Sequence, residues 1–570
     1  ISHGKTTGDP ISNFSNLQIS IGGKKNVGFL RASDFGYNTG AITLDGTKIG
    51  NTFNFTSTAT ESALIRSDAY EVKVDKDFDL VSAGVKNTFL QAGKTGTVTF
   101  NTGKKMTANM EEFYGMTAGN FNSGSPSSGA TAANKGTLEI KGKKGIGIAV
   151  DTGNSGSNEG TITLEGQEAS GIFNKGAFTF TKGKVEVNGK KGIAIYNLGS
   201  GTNGTVSFKG GTENAEINVK NGAYGIFSNG GSVSQTNALT TGSIKINVDD
   251  TASTDKGVAV YAKGGATVNL KKAEIDVKKG AAGVSVEGTG TTLDLENAKL
   301  KYDGSGYAVY VKDGGTVKLK NAEIELRGNG VGFEKDSGST LDTDNTTKVH
   351  IYSNDVTVFN LKNVTGGLSV SGLFNNVSSK VGTINVDDSH GFTDYKLASI
   401  DGLDDYKIDK DINKGSLTPA NHSNDDYVFT KYLNVQKAKV NLMGKNVTAH
   451  LNGTQLNEIG IQTPVGLDMN SSATATNRNQ TGITLHNGST VSADRTDDGA
   501  GAVGLFINYG EAKVNSGATV NVEKSGINGE NEGAVGIFAV NDSSVDNSGT
   551  INVGGKNSIG ILGLSYRTDR

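Results

Sequence analysis

A glycine or alanine followed by an apolar residue recurs along the chain at spacings that mostly lie in the twenties. The apolar members form one column, which runs through Ile148, Ile172, Ile195, Ile226, Val260, Val284, Val309 and Phe333. Their spacings are 24, 23, 31, 34, 24, 25 and 24 residues, and the column resumes at Leu505, Ile537 and Ile561. A period of this length is the signature of a solenoid, in which each repeat packs on its neighbours.

Within one period the apolar residues alternate with polar ones. The stretch from Lys256 to Val277 reads KGVAVYAKGGATVNLKKAEIDV. Its apolar residues fall in three short runs: Val258, Val260 and Ala262; Val268 and Leu270; Ile275 and Val277. Alternation with a period of two is typical of β-strands that bury one face. Each period is therefore predicted to hold three strands, with glycine-rich corners such as Lys263-Gly264-Gly265 between them.

Short strands joined by short turns fit a coiled chain. Neighbouring strands of a parallel sheet need a long crossover between them, and the other two strands of a period supply it. Such crossovers are overwhelmingly right-handed. We therefore predict an all-β fold, namely a right-handed parallel β-helix with three strands per coil, roughly 23–25 residues per coil and projecting insertions. Leucine-rich repeats and propellers fit less well, because neither the recurring LxxLxL motif nor the blade spacing of about 40 residues occurs.

The regularity of the period divides the chain into five predicted segments. Coils occupy residues 1–102, an insertion occupies 103–136, and the regular β-helix occupies 137–352. Irregular coils follow at 353–480, with an acidic, tyrosine-bearing insertion at 387–428, and coils resume at 481–570. In the first insertion, Met106 and Met110 lie four residues apart, a spacing that suits a short helix.

Charge and cysteine content exclude several classes of protein. The chain has 55 basic and 58 acidic residues, so it lacks the basic excess of a nucleic-acid binder. It has no cysteine, which removes disulfides and thiolate metal sites and suits a long chain that stays unfolded during export. A cytosolic solenoid could also lack cysteine.

The sequence matches no complete catalytic motif of the common kinds. Lys94 and Thr95 follow Gly93 as in a phosphate loop, but Thr88 stands where the leading glycine is required. No Gly-x-Ser-x-Gly elbow occurs, and the six histidines are scattered without metal-ligand spacing. We therefore predict no catalytic residues, no metal and no cofactor, and expect that the protein is not an enzyme.

Two regions are candidates for binding a partner. The first is the acidic insertion, because aromatic side chains beside polar groups make good interface anchors. Its candidate residues are Phe392, Tyr395, Asp404, Asp405, Tyr406 and Tyr427. The alternative is that this segment merely covers a flank of the core.

The second candidate is a stripe of aromatic residues directly after the apolar column. Its members are Phe173, Tyr196, Phe227, Tyr261 and Tyr310. By alternation these side chains point away from the core. They would either support neighbouring coils by ring contact or form a platform for sugar rings. Nearby asparagines, including Asn174 and Asn197, are predicted to form amide ladders that cap turns.

Several segments of the repeat resemble a known family. The segments GIFNKG, GIAIYN, YGIFSN, GAVGLFIN, GAVGIF and NSIGILGLSYR, with their GTI-x-V partners, are similar to the passenger repeats of large fusobacterial type Va autotransporter adhesins. The resemblance covers residues 137–352 and 499–570 well and residues 20–100 loosely. The family's C-terminal twelve-stranded β-barrel, which anchors the passenger in the outer membrane, is absent from this sequence, so the resemblance implies a passenger segment.

The resemblance also implies a function. It points to a monomeric adhesin at the cell surface, outside a Gram-negative outer membrane, that binds glycan or protein receptors on host cells or partner bacteria. We expect binding to be carried first by the acidic insertion. Two alternatives stay open: a passive spacer that displays a site elsewhere in a longer chain, and a polysaccharide lyase or hydrolase on the same scaffold.

Overall fold

The computed structural model describes most of the first 362 residues and shorter stretches beyond them. The described residues are 16–32, 40–80, 84–119, 128–199, 203–209, 215–235, 244–336, 338–344, 346–353, 355–362, 384–387, 390, 396–401, 406–408, 433–436, 439–442, 446–451, 458–462, 482–495, 502–508, 510–522, 534–540, 543–555 and 558–564. The chain divides into two units, Ile1–Leu300 and Lys301–Arg570. This division falls inside the region 137–352 that the sequence predicts to be one regular β-helix.

Unit 1 contains three parallel sheets, which the chain visits in the order A, B, C. Sheet A consists of Val27–Arg31, Ala63–Ser67, Thr88–Ala92, Tyr114–Ala118, Ile146–Val150, Ser170–Asn174, Ile193–Leu198, Tyr224–Asn229, Val258–Lys263 and Ala282–Glu287. Sheet B consists of Ile42–Asp45, Glu71–Asp75, Thr97–Phe100, Thr131–Asn134, Ser155–Asn158, Ala177–Phe180, Thr205–Phe208, Ser232–Gln235, Thr267–Asn269 and Thr292–Asp294. Sheet C consists of Phe78–Leu80, Lys105–Ala108, Thr137–Ile140, Thr161–Leu164, Gly183–Val187, Ala215–Lys220, Ile244–Asp249 and Glu274–Lys278. Ser20–Ile21 pairs separately with Asn54–Phe55, and Lys299–Asp303 lies across the division.

Unit 2 repeats this organisation with strands in five parallel groups. The largest contains Tyr307–Lys312, Val331–Lys335, Thr357–Lys362, Lys396–Asp401, Leu433–Gln436, Glu458–Gln462, Ala502–Asn508, Val535–Val540 and Ile559–Leu564. The others are Thr316–Lys318 with Thr340–Asp342; Glu323–Leu326, Thr347–Ile351 and Ile384–Asp387; Tyr406–Ile408, Lys439–Leu442, Gly482–Leu485, Glu511–Val514 and Ser544–Asn547; and Asn446–Leu451, Thr490–Arg495, Thr519–Val522 and Thr550–Val553.

The predicted column of apolar residues is confirmed. In sheet A, Ile148 pairs with Ile172, and Ile195 with Ile226, at equivalent positions of successive coils. Both pairs are fully buried, and the column continues through Val260 and Val284. The predicted fold is therefore correct: the protein is a right-handed parallel β-helix with three strands per coil.

A second column consists of residues with a left-handed backbone at the corner that precedes each strand of sheet A. In eight coils one corner residue has a positive φ of 49° to 59°. These residues are Lys25, Glu61, Lys86, Glu112, Lys144, Glu168, Lys191 and Asn221. Lysine and glutamate alternate down this column until Asn221, and Lys86 and Glu112 form an ion pair of 3.4 Å. Lys25 and Glu61 form a second, longer ion pair of 4.0 Å in this column.

Two columns of glycine allow the backbones of adjacent coils to approach closely. A Cβ at Gly166 would lie 1.9 Å from the carbonyl oxygen of Gly142, and one at Gly189 would lie 1.9 Å from that of Gly166. A Cβ at Gly160 would lie 2.0 Å from the carbonyl oxygen of Gly136. Because a backbone oxygen cannot move aside as a flexible side chain does, the stacking requires glycine at these corners.

Within the predicted insertion 103–136, the structure places Lys105–Ala108, Tyr114–Ala118 and Thr131–Asn134 as strands of sheets C, A and B. The short helix expected around Met106 and Met110 is wrong, because Lys105–Ala108 is a strand of sheet C that pairs with Phe78–Leu80 and Thr137–Ile140. Met106 is fully buried and Met110 is 2 % exposed, so both fill the core from a strand and the turn after it. Within the residues that the structure describes, no helix has the length and apolarity to cross a membrane.

The Gly166→Ala substitution should destabilise the fold by about 2–4 kcal/mol, because the added methyl group overlaps a backbone carbonyl of the preceding coil. The matched control is Gly46→Ala, where a Cβ would meet nothing within 4 Å. Urea denaturation followed by circular dichroism measures both free energies of unfolding. Equal stability of the two variants would contradict the close approach at Gly166.

Candidate functional site

Four aromatic residues stack along the outer side of sheet A in unit 1. Phe173, Tyr196, Phe227 and Tyr261 occupy paired positions in four successive strands. Each directly follows a buried residue of the apolar column, so its side chain points outward, and each is half-buried. We call these four residues the aromatic ladder.

The rings of the ladder meet edge to face. Ring centroids are 5.4 Å apart between Phe173 and Tyr196, 5.1 Å between Tyr196 and Phe227, and 5.0 Å between Phe227 and Tyr261. The interplanar angles are 76°, 84° and 83° in the same order. This geometry places the positive edge of one ring against the negative face of the next, which is the favoured arrangement for aromatic pairs.

A fifth ring and two lysines extend the ladder. Tyr224 lies two residues before the column residue Ile226 and is half-buried, and its ring centroid is 5.8 Å from that of Phe227. The Lys175 ammonium lies 5.4 Å from the ring centroid of Phe173. The Lys263 ammonium lies 5.4 Å from that of Phe227 and 5.7 Å from that of Tyr261. The ladder therefore presents aromatic and cationic groups together.

A carboxylate borders the last ring of the ladder. The Tyr261 hydroxyl donates a hydrogen bond of 2.5 Å to Oε2 of Glu287. In the next strand, Ser285 pairs with Tyr261, so the run of aromatic residues stops there. The Glu287 carboxylate also orients the tyrosine hydroxyl, which leaves the ring edge and the hydroxyl oxygen in a fixed position.

Asparagine side chains lie beneath the ladder, inside the coils. Asn174 and Asn197 are fully buried, and Asn174 Nδ2 donates to Asn197 Oδ1 at 2.8 Å. Asn197 Nδ2 donates to the carbonyl oxygen of Gly204 at 2.8 Å. The predicted amide ladder is confirmed at these two residues. It donates a hydrogen bond to a backbone carbonyl of the turn that follows the strand, and it fixes the backbone that carries the aromatic rings.

The fifth predicted member of the stripe, Tyr310, lies in unit 2. Its ring stacks on that of Tyr307, with centroids 4.9 Å apart and an interplanar angle of 26°. Burial, and then the nearby Glu334 carboxylate, raise the pKa of both tyrosine hydroxyls. Both hydroxyls therefore stay protonated and able to donate hydrogen bonds at neutral pH.

The acidic candidate lies almost wholly outside the described residues. This holds for Phe392, Tyr395, Asp404, Asp405 and Tyr427. Tyr406 begins the strand Tyr406–Ile408, which pairs with Lys439–Leu442, and Lys396–Asp401 pairs with Thr357–Lys362. Parts of the predicted insertion 387–428 are therefore strands of the coils.

Carboxylates on the outer side of sheet C are paired with lysines. The Glu139 carboxylate bonds the Lys105 ammonium and lies 3.1 Å from that of Lys141, and these bonds lower the pKa of Glu139. The Glu186 carboxylate lies 2.6 Å from the Lys184 ammonium. Within the described part of the chain, no three ligating side chains are grouped as a metal ion would need.

Sequence reasoning missed Tyr224, Lys175, Lys263 and Glu287 as neighbours of the ladder. A signal for two of them exists, because Lys175 and Lys263 lie two residues after Phe173 and Tyr261, at the strand end or just beyond it. Applying the period of two to the whole strand would have found these two lysines. Tyr224 lies three residues before Phe227, so its contact with the ladder does not follow from that period. Glu287 comes from the next strand, so its contact depends on the pairing register.

Comparison with family models, with curated proteins and with solved structures finds no match.

The Phe227→Ala substitution should destabilise the protein by about 1–3 kcal/mol, since it removes three ring contacts of a half-buried side chain. It should also weaken the near-ultraviolet circular dichroism band of tyrosine, because Tyr196, Tyr224 and Tyr261 lose their packing partner. Leu198→Ala is the matched control, since Leu198 is half-buried in the same sheet. An unchanged tyrosine band in Phe227→Ala would contradict the ladder.

Proposed function

We propose that this chain is the passenger segment of an autotransporter, exposed at the cell surface, and that it acts as an adhesin for glycan or protein receptors on host cells or partner bacteria. The aromatic ladder is the observation that carries the proposal. It is a partly exposed row of rings on a rigid scaffold, and aromatic side chains with polar edges are enriched at binding surfaces.

The ladder is preorganised for recognition. Backbone pairing fixes its spacing, ring contacts fix the ring orientations, and the buried amide ladder fixes the strand ends. A partner that binds there meets surfaces that lose little conformational freedom, which lowers the entropic cost of association. Ring faces suit the apolar side of a sugar or an aromatic side chain of a receptor, while Lys175, Lys263 and Glu287 supply polar contacts.

We infer a binding rather than a catalytic role. Glycoside hydrolysis generally needs two carboxyl groups facing one substrate, one of them held protonated. Glu139 is instead surrounded by lysines that keep it ionised. The lack of cysteine is consistent with export to a surface, where such an adhesin works.

The test compares attachment of the purified chain with attachment of a ladder variant, Tyr196→Ser with Tyr261→Ser. Biotinylated protein is applied to a glycan array and to epithelial cells, and bound protein is quantified. We expect the ladder variant to bind about ten-fold or more weakly, because interface tyrosines contribute strongly to affinity.

Two further variants make the result specific. Tyr352→Ser removes a half-buried tyrosine from another surface and should leave attachment unchanged. Tyr395→Ser with Tyr427→Ser tests the acidic segment. Loss of attachment in this variant, with full attachment of the ladder variant, would contradict the ladder as the site. Absence of attachment by the unmodified chain would instead favour the passive spacer.

A further inference from the structure

Another column of side chains runs beside the aromatic ladder, two residues after the ring in each coil. Its members are Lys175, Leu198, Asn229 and Lys263, and all four are half-buried. Leu198 pairs with Asn229, and Asn229 pairs with Lys263. We call these four residues the flanking column. It places one positive side chain at each end of the ladder and two uncharged side chains between them.

The two lysines of the flanking column lie over aromatic rings. The Lys175 ammonium lies over the Phe173 ring, and the Lys263 ammonium lies over the rings of Phe227 and Tyr261. Among the residues that the structure describes, neither ammonium group has an ion pair or a hydrogen-bond acceptor. Two positive charges at the ladder are therefore not compensated by a carboxylate.

The lysines of sheet C differ in this respect. The Lys141 ammonium lies 3.1 Å from the Glu139 carboxylate, and the Lys184 ammonium lies 2.6 Å from the Glu186 carboxylate. An external anion at sheet C would have to compete with these ion pairs. At the ladder it would meet ammonium groups that have no such partner.

A carboxylate lies beyond each end of the flanking column. Asp151 occupies the equivalent position in the coil before Lys175, and Glu287 occupies it in the coil after Lys263. Asp151 accepts a hydrogen bond of 2.9 Å from the backbone, and Glu287 accepts one from the Tyr261 hydroxyl. A negative charge is therefore attracted between the two lysines and repelled beyond them.

The other border of the ladder has no charge. Three residues before each ring, the paired positions carry Ser170, Ile193, Tyr224 and Val258. The first three are half-buried and Val258 is buried. The ladder thus has a cationic side and a largely apolar side, and both lie on the same sheet.

We propose that the aromatic ladder selects acidic glycans, whose carboxylate or sulfate groups bind Lys175 and Lys263 while their sugar rings lie on the aromatic side chains. The inference rests on the proposed receptor function and names the ligand class of that site. An ammonium group without an internal acceptor forms a charge-assisted hydrogen bond to an anionic oxygen without breaking another bond. A neutral glycan leaves both charges unused.

The separation of the two lysines determines the length of the ligand. Three coil steps of about 4.8 Å place Lys175 and Lys263 about 14 Å apart along the axis of the coils. A single sugar unit is too short to contact both. The ladder should therefore prefer an oligosaccharide that runs along the axis and has acidic groups on separate sugars.

The test uses a glycan array on which each neutral glycan stands beside its sialylated or sulfated form. The unmodified chain should bind the acidic form at least about ten-fold more tightly, because two charge-assisted contacts are added. The variant Lys175→Gln with Lys263→Gln should lose this preference. The variant Lys175→Arg with Lys263→Arg retains both charges and should keep it.

Three controls make the result specific. Lys141→Gln with Lys184→Gln removes the same charge from paired lysines of sheet C and should leave the preference unchanged. Thermal unfolding and the near-ultraviolet circular dichroism band of tyrosine show whether the glutamine variant keeps the fold and the ladder. A pentaglutamate peptide, which has charge but no sugar ring, should compete weakly with the acidic glycans.

Four outcomes would overturn the proposal. They are equal binding of neutral and acidic forms by the unmodified chain, an unchanged preference in the glutamine variant, full competition by pentaglutamate, and an array on which no glycan is bound. Each leaves the receptor proposal standing, because that proposal is judged by attachment to cells as well as to glycans and by the variant Tyr196→Ser with Tyr261→Ser.

Discussion

Parallel backbone hydrogen bonds between successive coils set every other feature of this protein. Each strand pairs with its equivalent one coil later, residue for residue, so any side chain that recurs in the sequence becomes a straight column in space. The pairing depends on corners at which two backbones nearly touch, as at Gly142, Gly166 and Gly189. A side chain at such a corner separates the coils, and the columns then lose their alignment. Glycine therefore has two uses here: it allows close approach of stacked coils, and it adopts the positive φ of many corners without strain.

The columns give the sides of one coil different chemistry. On the outer side of sheet A the column is aromatic, and its rings contact one another at centroid distances of 5.0 to 5.4 Å. On the outer side of sheet C, lysine and glutamate form ion pairs among threonines, as between Lys105 and Glu139 and between Lys184 and Glu186. On the outer side of sheet B, the strands from Thr97–Phe100 to Ser232–Gln235 present threonine, serine and alanine. The outer columns of a solenoid can vary independently of one another, because the inward residues alone form the core. This independence lets one scaffold present surfaces of different chemistry on its different sheets.

Much of the fold follows from local signals in the sequence. The glycine or alanine before each column residue, and the alternation around it, predict the strands, their inward faces and their parallel pairing. The expected helix is wrong because a spacing of four residues between two buried methionines fits a helix and equally fits a strand followed by a turn. The pairing of this strand with its neighbours in sheet C decides between the two structures, and the spacing of Met106 and Met110 does not. The outward direction of the ladder was predictable, but the edge-to-face geometry and the bond from Tyr261 to Glu287 were not, since they depend on side-chain rotation and on the neighbouring coil.

Register is the central claim, and a disulfide between engineered cysteines tests it directly, because the chain has no cysteine of its own. Thr205 and Ser232 pair across adjacent coils and both point outward, while Val233 is fully buried. Paired residues of neighbouring strands lie within the Cα separation that a disulfide spans. Under mild oxidation, the variant Thr205→Cys with Ser232→Cys should form an intramolecular disulfide, and Thr205→Cys with Val233→Cys should not. The reverse result would show that the strands are displaced by one residue, and the aromatic ladder would then not exist as described.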